Sequence, residues 1–156
     1  MKTTSIGKWL TTIVVACIAA ACGNYIDPSD PNNTVPDPAG TVSLRMRNGN
    51  NSTELFVEGS FYIYIDAAKN FTNSYANSYL SDFVDMGIMK GLGNVTTLPL
   101  SGWAPSVAVT PGHGYIVRTA DRQSYLRIYV VDSTAGNQFT TEFNVKYQYP
   151  FIPRGF

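Results

Sequence analysis

Apolar and polar residues alternate in several short segments of this sequence, and no other feature constrains the possible fold as strongly. In TEFNVKYQY, near the end of the chain, apolar or aromatic side chains occupy every second position from Phe143 to Tyr149. TVSLRMR, SFYIYID, SVAVT and SYLRIYVVD show the same period of two. Because successive side chains of a β-strand point to opposite faces, each segment is predicted to be a half-buried strand.

Turn-forming residues separate these segments at intervals of about ten residues. NGNNS follows TVSLRMR, and TPGHG follows SVAV. Gly, Pro and Asn favour turns because they fit the backbone angles that turns require. This spacing predicts an all-β fold, a single antiparallel β-sandwich or a small open barrel of roughly seven short strands. The inward positions predict a core of Val42, Leu44, Ile63, Ile65, Val107, Val109, Leu126, Ile128, Val130, Phe143 and Val145.

Two segments of the same region lack this alternation. DAAKNFTNSYANSYLSD, residues 66–82, is polar with scattered aromatic residues, and it predicts a long loop with one helical turn around Ala67 to Asn70. KGLGNVTTLP, residues 90–99, contains two glycines and predicts a brief strand before Pro99.

Both cysteines of the chain, Cys17 and Cys22, lie in an N-terminal apolar segment. Lys2 and Lys8 precede a short apolar run that ends in small residues, which is typical of a secretory signal. The run is too short for a membrane-spanning helix. AAACG around Cys22 resembles the lipobox of bacterial lipoproteins, in which the Cys is lipidated and becomes the new N-terminus. An ordinary cleavage site beside an incidental Cys is the alternative.

The segment after Cys22, GNYIDPSDPNNTVPDPAG, contains three Asp-Pro pairs and no apolar periodicity. Proline lacks a backbone donor and keeps its predecessor extended, so this segment is predicted to be a stiff, solvated tether. The sequence therefore predicts a signal peptide at 1–21, a lipidated Cys and tether at 22–40, and an all-β domain at 41–156.

Longer motifs resemble a known family. FYIYIDAAKNF, FVDMGIMKGLGNVTTLPLSGWAPSVAVTPGHGYIVR and YLRIYVVD, with a final KYQYPF, are similar in order and spacing to small Bacteroidota lipoproteins catalogued as domain of unknown function 5036. The resemblance begins at Thr41. It implies no activity and no functional site for this chain. Asp27 and Asp30 resemble the export tract of surface-exposed lipoproteins, which implies an outward-facing outer-membrane location. Because Gly accepts positive φ, backbone requirements are expected at Gly91, Gly93, Gly112 and Gly114.

Residues that could support catalysis or bind a metal are few. His113 is the sole histidine and lies in the TPGHG turn, whereas a nucleophile needs a base and a metal needs several ligands. Asp82 and Asp85, with Asp66, could form a pair of catalytic carboxylates like that of a glycosidase. The alternative is that they are solvated carboxylates beside a strand. We therefore predict no catalytic residue, no metal site and no cofactor. The net charge of zero gives no basis for nucleic-acid binding.

Aromatic residues offer the best candidates for ligand contacts, because the chain has ten Tyr but only 14% charged residues. Flat rings with polar tips suit glycans. The outward strand positions and the single tryptophan after the signal predict contacts at Tyr62, Tyr64, Trp103, Tyr125 and Tyr129. The alternative is that these rings pack beneath a second layer.

The triplet DST at residues 132–134 resembles the O-glycosylation pattern of secreted Bacteroidota proteins. It predicts a modification of Ser133 in an exposed turn between the last two long strands.

These observations predict an envelope lipoprotein that acts as a non-catalytic binding or structural module. Its partners would be the membrane, through the lipid on Cys22, and an unidentified glycan or protein. The alternative is a glycan-binding or assembly subunit of the outer surface, and a glycoside-acting hydrolase has less support.

Overall fold

A computed structural model describes residues 33–49, 53–57, 59–73, 80–137 and 140–154. The predicted signal peptide, Cys22 and the start of the predicted tether lie outside these residues. The described part contains nine β-strands and one short 3-10 helix, which confirms the predicted all-β class. No helix in this part has the length and hydrophobicity that a membrane span requires.

The strands, numbered in chain order, form two antiparallel sheets that pack as a sandwich. In spatial order, the five-stranded sheet consists of Val42–Arg47 (β1), Thr141–Gln148 (β9), Tyr125–Ala135 (β8), His113–Thr119 (β7) and Ser81–Ile88 (β5). The four-stranded sheet consists of Leu55–Val57 (β2), Phe61–Ile65 (β3), Asn70–Asn73 (β4) and Ser106–Ala108 (β6). The prediction of about seven strands was too low because β2 and β4 are too short to show a period of two.

The main core lies between the inner faces of the two sheets. Three aromatic rings meet at its centre: the ring centroid of Phe71 lies 5.1 Å from that of Tyr115 and 6.5 Å from that of Phe83. Of the eleven predicted core residues, eight are buried and Leu44 and Val107 pack against them half-buried. The prediction for Val42 is wrong: its side chain is 45% exposed, because it opens an edge strand.

Two local predictions are wrong. Ala67 to Asn70 form no helical turn but a tight turn that leads into β4. There Lys69 has a positive φ of 66°, and its N–H donates to Asp66 O at 3.0 Å. In the segment 90–99 a 3-10 helix, Leu92–Asn94, replaces the predicted strand. Its residues are all buried, so no alternation could mark them.

A second hydrophobic cluster covers the outer face of the five-stranded sheet, which we call the covered face. Val84 and Ile116 point outward from β5 and β7, and Val95 and Phe151 pack over them from the loop after β5 and from the C-terminal segment. The five-stranded sheet is therefore apolar on both sides, whereas a two-layer sandwich needs only one apolar side for each sheet.

Residues 33–40, predicted as part of a solvated tether, contact the covered face. Val35 N donates to Asn94 Oδ1 at 3.3 Å, and Lys146 Nζ lies 2.6 Å from Asp37 Oδ2. The boundary predicted at residue 40 therefore separates two segments that touch. Gly93 permits this approach, since a methyl group on it would lie 2.7 Å from the Val35 carbonyl oxygen.

Of the four glycines expected to need a positive φ, only Gly112 has one. Gly112 has a positive φ of 81°, as the sequence predicted. Gly93 and Gly114 are needed instead for close packing, because an added methyl group on Gly114 would lie 2.5 Å from a Val95 methyl carbon. Gly91 is extended, and a methyl group on it would lie at an ordinary contact distance, 4.0 Å, from the Val35 carbonyl oxygen.

Candidate functional site

The outer face of the four-stranded sheet carries aromatic and small polar side chains, and neither hydrophobic cluster of the described residues covers it. The strand register places Phe56 of β2 opposite Tyr62 of β3. It also places Thr72 of β4 between Tyr64 of β3 and Ser106 of β6. We call the surface formed by these five residues the open face.

Contacts within the open face orient its rings. Tyr62 Oη donates a hydrogen bond to Glu54, and the Tyr62 ring meets Phe56 edge to face with centroids 5.6 Å apart. The hydrogen bond to Glu54, helped by burial and by the Glu54 charge, raises the pKa of Tyr62. Phe56 is 53% exposed. The open face therefore presents an ordered aromatic pair beside the hydroxyl groups of Thr72 and Ser106.

The other predicted contact residues do not lie on the open face: Tyr125 and Tyr129 belong to β8, and Trp103 lies in the loop before β6. Tyr125 and Trp103 pack against the second cluster. For these two residues, the alternative that the rings pack beneath a second layer is therefore the correct one. Trp103 Nε1 donates to Pro99 O at 3.2 Å, and the Arg118 guanidinium lies 4.1 Å from the Trp103 ring centroid. Tyr129 is half-buried and alternates with inward residues of β8. The five predicted residues therefore do not form one site.

His113 ends the TPGHG turn, where its N–H donates to Thr110 O at 3.2 Å, and it is the first residue of β7. Its Nδ1 lies 3.0 Å from both carboxylate oxygens of Asp85. A carboxylate orients the histidine of a catalytic triad in this way. Within the described ranges, however, no hydrogen bond joins the His113 ring to a Ser, Thr or Cys side chain.

The three carboxylates that were considered for a glycosidase-like pair have three different partners. Asp82 Oδ2 accepts from Arg118 Nη2 at 2.9 Å, Asp85 binds His113, and Asp66 Oδ1 accepts from the Asn70 N–H at 2.8 Å. Each carboxylate is thus used to hold its own strand or turn. In the part of the chain that the structure describes, no three His, Cys, Asp or Glu residues form a group that could hold a metal ion.

A pocket of about 340 Å³ lies at the covered face, between the N-terminal segment 35–38 and the C-terminal segment 151–154. Arg127 of β8 and Arg154 line it, and we call it the arginine pocket. The sequence analysis missed this pocket because Arg127 occupies an ordinary outward position in SYLRIYVVD. Phe56 was missed because a three-residue strand shows no period.

Ser133 is exposed, but the prediction that it lies in a turn is wrong. It belongs to β8, which continues past an irregularity between Val130 and Asp132, and it pairs with Phe143. The strand is longer than its apolar pattern because the residues beyond this irregularity are all exposed. Modification of Ser133 stays a prediction, which the mass of the peptide containing it in native protein would test.

Comparison with known proteins identifies one family. The family model described as "Domain of unknown function (DUF5036)" matches residues 43–123, more than half of the chain. The matched part runs from β1 to the turn after β7 and includes every strand of the open face. No curated protein and no solved structure matches the chain.

Proposed function

We propose that this chain, which belongs to the DUF5036 family, is a non-catalytic glycan-binding module held at a bacterial cell envelope by a lipid. The open face supports this proposal most directly. It holds an oriented aromatic pair on the outside of the four-stranded sheet, where neither hydrophobic cluster of the described residues covers the rings and Phe56 is half exposed.

The chemistry of the open face favours a neutral, hydroxyl-rich ligand. Sugars offer apolar C–H faces that stack on aromatic rings and hydroxyl groups that exchange hydrogen bonds with polar side chains. Phe56 and Tyr62 provide rings, while Thr72 and Ser106 provide hydroxyl groups. None of the five residues that form the open face is charged, and Glu54, which accepts from Tyr62, is the carboxylate beside them.

The envelope location rests on the N-terminal sequence. The signal pattern, the lipobox-like AAACG and the acidic residues after Cys22 support a lipoprotein of Bacteroidota that faces outward from the outer membrane. Lipoproteins of this type carry several acyl chains, which anchor a protein far more firmly than one chain does.

Assembly through sheet edges has less support. β1 ends the five-stranded sheet and is the kind of strand that could pair with another chain. It carries Arg45 and Arg47, which both bind Glu142, and such charges on an edge strand oppose pairing with a second sheet.

Calorimetric titration of the purified full-length chain with a panel of neutral oligosaccharides tests glycan binding. We expect saturable binding that Tyr62→Ala weakens about tenfold or more, since stacking on one aromatic ring contributes on the order of 1–3 kcal/mol. Tyr129→Ala is the matched control, because it removes the same ring from the other sheet. No binding across the panel by folded protein, or equal losses in both variants, would contradict the proposal. Turnover of a glycoside by the same protein would also contradict it.

Replacing the proposed lipidation site tests the location. Cys22→Ser should release the protein from membranes or leave the signal uncleaved, whereas Cys17→Ser, within the predicted signal, should keep the protein at the membrane. Mass spectrometry that finds an unmodified Cys22 in membrane-extracted protein would refute the lipid anchor.

A further inference from the structure

The arginine pocket has a buried cation in its wall. Arg127 is only 9% exposed, and its guanidinium carbon lies 4.8 Å from the Phe151 ring centroid. Both terminal segments close over it: Val35 and Pro36 form one side, and Phe151 and Ile152 form the other. The pocket therefore places a guanidinium between apolar walls.

Neutral oxygen atoms hold this guanidinium in a fixed orientation. Gln148 Oε1 accepts from Arg127 Nε at 2.8 Å and from Nη2 at 2.6 Å, and Val95 O accepts from Nη1 at 2.7 Å. A guanidinium has five N–H groups. One N–H on each terminal nitrogen thus remains without an acceptor among the described residues.

In the described part of the chain, no carboxylate binds Arg127 to balance its positive charge. Burial and the nearby charge of Arg154 lower the pKa of Arg127 to about 10, which shows that the charged form is held at a cost. Asp37 acts on Arg127 in the opposite direction, but its carboxylate lies 2.6 Å from Lys146 Nζ. Buried charges in proteins are normally paired, so a buried guanidinium that lines a pocket favours the binding of an anion there.

We infer that the arginine pocket is a second binding site, distinct from the open face, and that it binds the oxyanion group of a small molecule. Carboxylates and phosphates both match a guanidinium that offers two N–H groups. The pocket volume lies at the low end of ligand sites, which suits a single acidic sugar or a phosphate group. Arg154 is exposed and contributes a second positive charge at the same pocket.

The test is a titration of the full-length, ¹⁵N-labelled chain followed by NMR, with sodium phosphate and sodium glucuronate as probes. Glucose and sodium chloride at matched concentrations are the neutral and ionic-strength controls. We expect one or both oxyanions to shift the Gly93 and Thr96 amide signals and the Arg127 Nε–H signal with saturation. Tighter binding of glucuronate assigns the site to carboxylates, and tighter binding of phosphate assigns it to phosphoryl groups.

Two arginine variants separate specific binding from general attraction. Arg154→Gln should weaken oxyanion binding about tenfold or more, because hydrogen bonds to charged groups contribute more than neutral ones. Arg154 is exposed, so this variant should fold. Arg45→Gln removes the same charge from β1 and should leave the affinity unchanged within about twofold. The inference is overturned if neither oxyanion shifts these signals, if the shifts lie elsewhere, or if both variants weaken binding equally.

Discussion

The two outer faces of this sandwich differ in what lies above them. Three non-strand segments cover the five-stranded sheet: residues 33–40, the loop after β5, and residues 151–154. They bury Ile116 fully and Val84 almost fully. On the four-stranded sheet, by contrast, Phe56 remains 53% exposed.

This difference indicates that the two outer faces contribute unequally to stability. The covered face acts as a second core, and the segments that cover it also form the arginine pocket. The open face has an exposed ring at Phe56, which is consistent with the proposed binding of a glycan there. Substitutions should therefore affect stability strongly on one face and weakly on the other.

The largest expected loss comes from the covered face. Ile116→Ala should lower the free energy of unfolding by about 2–5 kcal/mol, as should Ile128→Ala in the main core, because both side chains are fully buried. Urea denaturation of the two variants measures this. A cost within about half a kcal/mol for Ile116→Ala would show that the cover is not a core.

The next largest effect concerns the contact between residues 33–40 and the covered face. Gly93→Ala should destabilise the protein by about 1–3 kcal/mol, because the added methyl group collides with the carbonyl oxygen atoms of residues 35 and 36. Gly91→Ala is the control, since Gly91 is extended and its added methyl group would lie 4.0 Å from the Val35 carbonyl oxygen, an ordinary contact distance. Thermal melts of both variants provide the comparison. Equal melting temperatures would mean that residues 33–40 do not press on Gly93.

A third prediction concerns the link between the two sheets. Tyr115 of β7 donates to Ala108 O of β6 at 2.9 Å and accepts from Thr110 N at 2.8 Å. Burial raises the pKa of Tyr115 to about 12, although the bond from Thr110 opposes this shift. The folded state thus keeps a proton that the unfolded state loses near pH 10. Stability from this group is complete below pH 10 and is lost by about pH 12, on the order of 2 kcal/mol.

Tyr115→Phe isolates this pH dependence. The variant should be less stable than the parent at pH 8 by about 1–2 kcal/mol, because it removes the hydrogen bonds of Tyr115 to Ala108 O and from the Thr110 N–H. The difference between the two proteins should shrink between pH 10 and 12 in urea denaturation curves. A difference that stays constant across this range would contradict the raised pKa.

The smallest effect belongs to the open face. Phe56→Ala should change the free energy of unfolding by about 0.5 kcal/mol or less, because the ring is half exposed and lies on a short outer strand. Urea denaturation again measures it. A loss above about 1.5 kcal/mol would make the open face part of the folding core and would remove the contrast on which the binding proposal depends.

Period-two alternation predicted eight buried residues of the main core, because each strand borders the space between the sheets. It missed Leu55 and Phe71, which lie on the short strands β2 and β4. It assigned Ile128 and Arg127 correctly to opposite sides of β8. It could not predict what lies above Arg127, since the covering segments come from residues 33–40 and 151–154, distant in sequence and without periodicity. A sequence pattern gives the side on which a residue lies but not the third layer above it.

The candidate sites show the same limit. Tyr62 and Tyr64 were correctly placed on an outward strand side, yet Tyr125 obeys the same pattern and packs under the loop after β5. Only the arrangement of the strands in two sheets shows that Tyr62 and Tyr64 lie on the open face and Tyr125 on the covered face. The turn at Lys69 was predicted as helical because its left-handed backbone is fixed by hydrogen bonds to Asp66 and not by a glycine.

The contact of residues 33–40 with the covered face also limits the distance between the domain and a lipid anchor at Cys22. For a chain lipidated at Cys22, only the eleven peptide steps up to Asn33 can extend, and they span at most roughly 40 Å. A tether free to residue 40 would reach roughly 60 Å. The chain also leaves the domain on the side of the covered face. In a chain anchored in this way, the arginine pocket would lie nearer to the bilayer than the open face.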